Sequence, residues 1–433
     1  MEWIRIRKAF VGLAVLAMLV STTSDAFAQT IAWTDQFGSE RLDVAWGVLA
    51  STTDVYVAGL TGGALPGETS AGGIDGFVRH LDPSGNEIWK VQFGTAKDDF
   101  TFQVATDATG LYVMGQTSGT FPGQTKAGGS DAFLKKFGFD GTELWTVQFG
   151  TPEDDNPSNL VADATGLYIF GSTWGAFPGE TNLGDADLFL TRFDSDGNQD
   201  WTQQFGTSRF DVGYANAIGP DGIYVNGWTD GRLPDQRDRG DPDAFVGLFQ
   251  IDGTLIWLRQ FGTSRFDLGL GIVADATGVY VSGGTDGVFR DQRDRAGQDA
   301  YVRKFAPTDG STLWTRQFGT ASFDVCNAVA VVGSDVACVG DTDGAFRDQT
   351  SAGKRDVFVK TFDAATGGSG EVLQFGTRGN DVGNWATSAT DALYVVGMTT
   401  GRLGEAAFGQ EDAYVMRIDV SAVQPYASTD VVT

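Results

Sequence analysis

The chain has 433 residues, of which 60 are Gly, 31 Phe and 11 Trp, with 20% charged and 41% apolar residues; this reads as a turn-rich β protein and excludes a helical bundle or a disordered acidic chain. With 30 basic against 56 acidic residues and a formal net charge of -26, no excess of Lys and Arg is left to neutralise phosphates, which excludes nucleic acid and disfavours an anionic membrane surface. One histidine, His80, and two cysteines, Cys326 and Cys338, leave almost nothing from which to build zinc, haem or iron–sulfur sites or a His-based acyl-transfer triad.

The first element is a leader. Arg5, Arg7 and Lys8 precede an apolar run from Ala9 to Val20, and Ala26-Phe27-Ala28 stands before Gln29, the pattern of a signal peptide cleaved after Ala28. The run is too short to span a bilayer comfortably, so the expectation is an exported protein, periplasmic or secreted from a bacterium, without a membrane span. The expected division is a leader over 1–28, a repeat domain over 29–420 and a polar tail over 421–433.

The tripeptide Gln-Phe-Gly begins at Gln36, Gln92, Gln148, Gln204, Gln260, Gln317 and Gln374. The spacing is 56 residues four times and then 57 twice, the mark of a repeat architecture. Between two such tripeptides lie short β-branched and aromatic runs separated by Gly, Asp, Thr and Pro turns, which predict four strands per unit. Four antiparallel strands suit a β-propeller blade. The chain opens on a fourth strand, Ile31 to Gly38, that lacks its first three, and finishes on a third strand, Asp412 to Ile418, that lacks its fourth. The expected fold is therefore all-β: a seven-bladed β-propeller of four-stranded antiparallel blades, its ring closed by the N-terminal strand so that no free edge remains.

The unit Trp-x-x-Gln-Phe-Gly-Thr, followed by a stretch such as Asp107 to Thr117 and then Asp131-Ala132-Phe133-Leu134-Lys135, resembles the SBBP-type β-propeller repeat of exported bacterial proteins. The resemblance covers residues 31–419. It implies a propeller on the cell exterior or in the envelope, with no single activity and no catalytic residue to carry over. The turn from Asp82 to Trp89 is also similar to that of quinoprotein propellers, whose implied extra blades and cofactor pocket find no match here.

Several columns recur once per blade. The tripeptide Phe residues and the Trp column (Trp33, Trp89, Trp145, Trp201, Trp257, Trp314) predict inter-blade core, with Glu371 the outlier at the seventh position. One Asp column (Asp43, Asp99, Asp155, Asp211, Asp267, Asp324, Asp381) opens the first strand, and another (Asp75, Asp131, Asp187, Asp243, Asp299, Asp356, Asp412) opens the third. Strand parity puts all fourteen on one face, predicting rings of carboxylates around one mouth. Short acidic side chains fix turns by accepting backbone N–H bonds; the other reading is an oxygen-rich calcium site. The turn Asp194 to Asp200, with Asp194, Asp196 and Asp200, is the calcium candidate among the turns. No other cofactor is expected. Cys326 and Cys338 fall on neighbouring strands of blade six, either paired or simply two small core residues. His80 shares a column with Lys136, Arg192, Lys304 and Arg417 and is expected on the surface.

The loops between second and third strands differ. Blades one to three carry Pro/Gly turns, whereas blades four and five carry Arg237, Arg239, Arg293 and Arg295, and blade six keeps Arg347. Arg is enriched at interface hot spots, and loops on a rigid scaffold commonly carry function. The expectation is a monomeric, non-catalytic binding or scaffold propeller that engages a protein or polysaccharide of the envelope or exterior through this face. The alternative is a hydrolase or lyase using acidic residues at the channel mouth. No group of polar residues is expected to break the repeat pattern together near the channel.

Overall fold

The structure, a computed structural model, describes residues 27–422 apart from 238, 241, 294, 391 and 405. Its seven four-stranded antiparallel sheets form seven blades. In blade one the strands are Asp43–Ala50, Val55–Thr61, Asp75–Leu81 and Glu87–Phe93, ordered from the inside outward. Blade seven takes its outer strand, Phe27–Phe37, from the other end of the chain, where it pairs with Asp412–Ala422. The N-terminal strand thus closes the ring, as strand counting predicts. Asp43 N–H also donates to Glu411 O at 2.8 Å, and Asn384 Nδ2 donates to Ala45 O at 3.0 Å, so blade seven is stitched to blade one near the axis as well.

Two expectations fall partly outside the described residues: most of the leader and the tail beyond 422. The last strand continues through Ser421 and Ala422, which pair with Ala28 and Phe27. Cleavage after Ala28 would leave the closing strand from Gln29 onward.

The core lies between blades. One cluster joins Tyr56, Val78 and Phe93 of blade one to Val104, Val113, Phe133 and Phe137 of blade two, and each further junction has its own layer, as with Phe149 against Phe193 at 4.9 Å between ring centres. Full burial of such a side chain is worth about 1.5 to 3 kcal/mol, which accounts for the Phe column.

The Trp column caps turns. The indole of Trp33 lies 3.1 Å from where a side chain on Gly85 would begin, and its Nε1 donates to Pro83 O at 3.0 Å, both in the outer turn of the next blade. Trp89 does the same at Gly141 and Phe139, Trp257 at Gly310 and Pro307, and Trp314 at Gly367 and Ala364. These glycines have positive φ, 88° at Gly85, and any side chain there would strike the ring. The extra residue behind the 57-residue spacings sits in these turns, where Gly310 N–H reaches back to Ala306 O instead of spanning one residue fewer, as Gly253 does to Gln250. Glu371 now has a physical explanation: it faces blade seven, whose two outer strands come from opposite ends of the chain and have no turn to cap.

Cys326 and Cys338 form a disulfide, 2.02 Å between sulfurs, across the two inner strands of blade six. Both are fully buried.

Candidate functional site

The tripeptide glutamine organises each blade's upper loop, the face on which first and third strands begin. Gln148 Nε2 donates to Asp131 at 2.8 Å and to Gly119 O at 3.1 Å, while its Oε1 accepts from Phe121 N–H at 3.1 Å. All seven glutamines bind their third-strand Asp in this way, at 2.7 to 2.9 Å. Each first-strand Asp accepts the N–H of the Ser or Thr four residues earlier at 2.5 to 2.6 Å. The tripeptide glycine separates the two carboxylates: a Cβ on Gly94 would stand 2.4 Å from Asp75 Oδ1 and 3.0 Å from Asp99 Oδ2. No larger residue fits.

These bonds are the turn-fixing role expected of the Asp columns, but the carboxylates do not open onto the mouth. The fourteen Asp residues are on the expected face but are at most 2% exposed, sealed under their loops at the blade junctions because their oxygens bind loop N–H groups. Burial pushes Asp43, Asp155, Asp211 and Asp267 up to about 6 despite the Thr or Ser hydrogen bonds, and the carboxylate across the glycine adds to the rise.

The calcium candidates are not brought together. Asp194 accepts the N–H groups of Asp196 and Asn198 within its own turn, and Asp200 pairs with Arg192. Among the described residues no three His, Cys, Asp or Glu side chains converge as a metal site would require.

Arg237, Arg239, Arg293, Arg295 and Arg347 are exposed on the upper loops of blades four to six, together with Arg290, which the sequence reading passed over. The partners Arg290 with Asp291 and Arg347 with Asp348 are wide, 3.6 and 3.5 Å, and open to water, so they hold little energy. The loops of blades four and five each bring an arginine near the buried cation on the third strand of the next blade. Burial lowers Arg303 to about 10 and Lys360 to about 8, with Arg239 and Arg295 contributing as like-charged neighbours. The turn tip that Gly67, Gly123 and Gly179 form in blades one to three is held in blades four to six by Asp235, Asp291 and Asp348 at positive φ, which Asp tolerates better than most residues.

Beside these loops runs a chain of half-buried rings: Trp174 to Phe210 at 5.7 Å, Phe210 to Trp228 at 5.6 Å and Trp228 to Phe266 at 6.4 Å. It crosses the junctions from blade three to blade five on the same face.

The axis corrects a second expectation, that nothing breaks the pattern near the channel. Every inner strand carries a β-bulge a few residues after its first Asp. The bulged residues are Trp46, Phe102, Ser158, Tyr214, Leu270 with Gly271, Asn327 and Asn384. Bulges re-aim a side chain, and here one side differs in almost every blade while the flanking Asp never varies. A cavity of about 250 Å³ at the upper mouth is lined by Trp46, Phe102, Ser158, Tyr214 and Asn384, with Gln103, Asn156, Pro157 and Trp385. Gln103 and Trp385 also line a lower chamber of about 350 Å³. Aligning the seven repeats and asking which column is most varied would have found this ring; attention to recurring columns hid it.

His80 is the third correction. It is 6% exposed, stacked on Tyr56 at 4.5 Å, with Nε2 2.7 Å from Asp54 Oδ1. Of its column neighbours Lys136 and Lys304 are buried as well, extending to the next blade's turn to reach Ser195 O and Ala364 O at 2.9 Å, while Arg192 and Arg417 are half-buried. Imidazole is too short for that reach, and a cavity of about 430 Å³ separates it from Phe139.

No known protein-family profile matches the chain. Over 108 residues it is 33% identical to the regulatory protein FlaEY of Caulobacter vibrioides, a match that covers 23% of this chain and 11% of that protein; the chain thus spans about a tenth of the curated relative it matches. Among solved structures it is similar to the WD40 propeller domain of Doa1, with 12% identity, TM-score 0.53 and 90% and 97% of the two chains covered. The Neurospora crassa Pan2 WD40 domain is similar at 10% identity, TM-score 0.52 and 93% and 97% coverage. At these identities the likeness concerns the fold: the chain is a seven-bladed β-propeller.

Proposed function

We propose that the chain is an exported, monomeric, non-catalytic binding propeller of the SBBP repeat type that captures an acidic polysaccharide on its upper face. The observation that carries this reading is the contiguous set of exposed arginines on blades four to six, Arg237, Arg239, Arg290, Arg293, Arg295 and Arg347, set into a chain of net charge -26. Guanidinium forks bind carboxylates bidentately. The ring chain Trp174, Phe210, Trp228 and Phe266 lies alongside and offers apolar faces to sugar rings, which favours a glycan over an acidic protein. The buried state of the fourteen Asp carboxylates argues against their acting as a hydrolase's acid pair, since a general acid must reach its substrate. The disulfide supports export to an oxidising compartment.

The test is retention of the full mature chain on immobilised polygalacturonate, with neutral dextran as control. Retention should weaken as salt rises. Reversing Arg237, Arg239, Arg293 and Arg295 to Glu should abolish it while the melting temperature stays close to native, because exposed loop charges alter stability by no more than about 0.5 kcal/mol. Full retention of the reversed variant would overturn the reading.

A further inference from the structure

The upper chamber of the channel is built for a ligand that the arginine loops cannot account for. Its wall comes from the inner strands of five blades, and each contributes a residue that the repeat does not need for packing. In a repeat protein, a column that serves packing is held uniform by the demand that every blade pack alike; the Asp, Gln and Phe columns are uniform for this reason. The bulge column is not uniform, although the bulge itself recurs in all seven blades. The backbone device is kept and its side chain is varied, which is the behaviour of a recognition surface.

The chemistry of the wall is specific. Trp46, Phe102, Tyr214 and Trp385 offer ring faces, and Gln103, Asn156, Asn384 and Ser158 offer amide and hydroxyl groups, with no charged side chain among them. The indole Nε1 of Trp46 is buried and has no hydrogen-bond partner among the described residues. A buried N–H without an acceptor is rare in folded proteins, and here it belongs to a side chain that lines the cavity. The Tyr214 hydroxyl is held protonated by desolvation, with the Asp341 carboxylate adding to the effect, so it also remains a donor. Several other groups are already committed: Asn384 Nδ2 to Ala45 O, Ser158 Oγ to Gly213 O and Gln103 Oε1 to Val104 N–H. Trp46 Nε1 and Tyr214 Oη, together with the amide nitrogens of Gln103 and Asn156, are therefore the donors of the wall without an acceptor among the described residues.

From this wall we infer that the upper chamber binds a neutral pyranose residue, whose C–H faces pack on the aromatic rings and whose hydroxyl oxygens accept from Trp46 and Tyr214. A charged sugar does not suit the site, because burying a carboxylate among uncharged side chains is costly. Its residues are distinct from the arginine loops, so the inference stands apart from the capture of acidic polymer.

The test is calorimetric titration of the full mature chain with the methyl glycosides of glucose, galactose and mannose, and with glucuronate. At least one neutral glycoside should bind saturably with a change in Trp fluorescence. Trp46→Phe keeps a ring and removes the donor, and Tyr214→Phe removes the other; each should weaken that binding about tenfold. The variant with the four loop arginines reversed to Glu should bind the same glycoside as the native chain does. No saturable binding of any of the three neutral glycosides, tighter binding of glucuronate than of glucose, or native affinity in both Phe variants would overturn the inference.

Discussion

Asp155 accepts from the Thr151 N–H and from Thr173 Oγ1 and is fully buried, yet burial outweighs these bonds and raises its carboxyl to about 6. Asp43, Asp211 and Asp267 behave alike. An unfolded chain titrates these groups near 3.8, so between about pH 4 and 6 the folded state holds protons that the unfolded state has lost. Stability must then fall as pH rises through that window. The exposed turn carboxylates Asp82, Asp140 and Asp252 shift the other way, but water screens them. Thermal unfolding is expected at a higher temperature near pH 5 than near pH 7.5, with the slope flattened in Asp155→Asn with Asp211→Asn; a native chain that gains stability over that range would contradict the assignment. The glutamine beside each pair admits a sharper check. Gln148→Ala strips the donor from Asp131 and the acceptor from the Phe121 N–H, and each buried group left unmet costs about 1 to 3 kcal/mol. Denaturant unfolding should show a loss of about 3 kcal/mol, and a loss under about 1 kcal/mol would mean the network contributes little.

At the scale of the strand and turn, the Trp-to-glycine contact decides how one blade holds the next. Trp257 covers Gly310 and donates to Pro307 O, so Trp257→Ala should cost about 3 to 5 kcal/mol, as large-to-small changes of this kind do. Glu371→Trp restores the repeat pattern but meets no turn, and its melting temperature should match native. A clear gain in stability from Glu371→Trp would show that Glu371 is an irregularity of another origin. Blade number, strand order and closure could be read because a tripeptide at fixed spacing counts blades, and because incomplete units at the two ends can only complete each other. The exposed loops of blades four to six stood out as an insertion of charge into a Pro/Gly pattern. The bulge ring did not, because Trp46, Phe102 and Tyr214 look like ordinary aromatic members of a strand until the backbone turns them toward the axis. His80 was placed in the right column, but three members of that column, His80, Lys136 and Lys304, are buried, the two lysines by contact with the next blade, which a per-blade pattern does not express.

For the whole molecule, closure distributes stability around the ring. Deleting Ile31 to Gly38 removes the strand that pairs with Asp412–Ala422, the Trp33 cap on blade one and the Gln36 bonds to Asp412 and Gly401 O. It also exposes the edge of Asp412–Ala422 to aggregation. Removing residues 423–433 leaves every residue named here in the chain. The first deletion should lower the melting temperature far more than the second, and equal values would contradict closure by the N-terminal strand. A closed ring is rigid enough to hold different side chains on one face without disturbing the packing beneath, and this face carries the arginines, the ring chain and the channel mouth together. The most direct measurement is hydrogen–deuterium exchange of the chain from Gln29 onward with and without polygalacturonate. Slowed exchange should be confined to the upper loops of blades four to six, around Arg237, Arg293 and Arg347, with the lower turns near Ser51, Thr109 and Thr277 unchanged; protection of those lower turns instead would contradict the account.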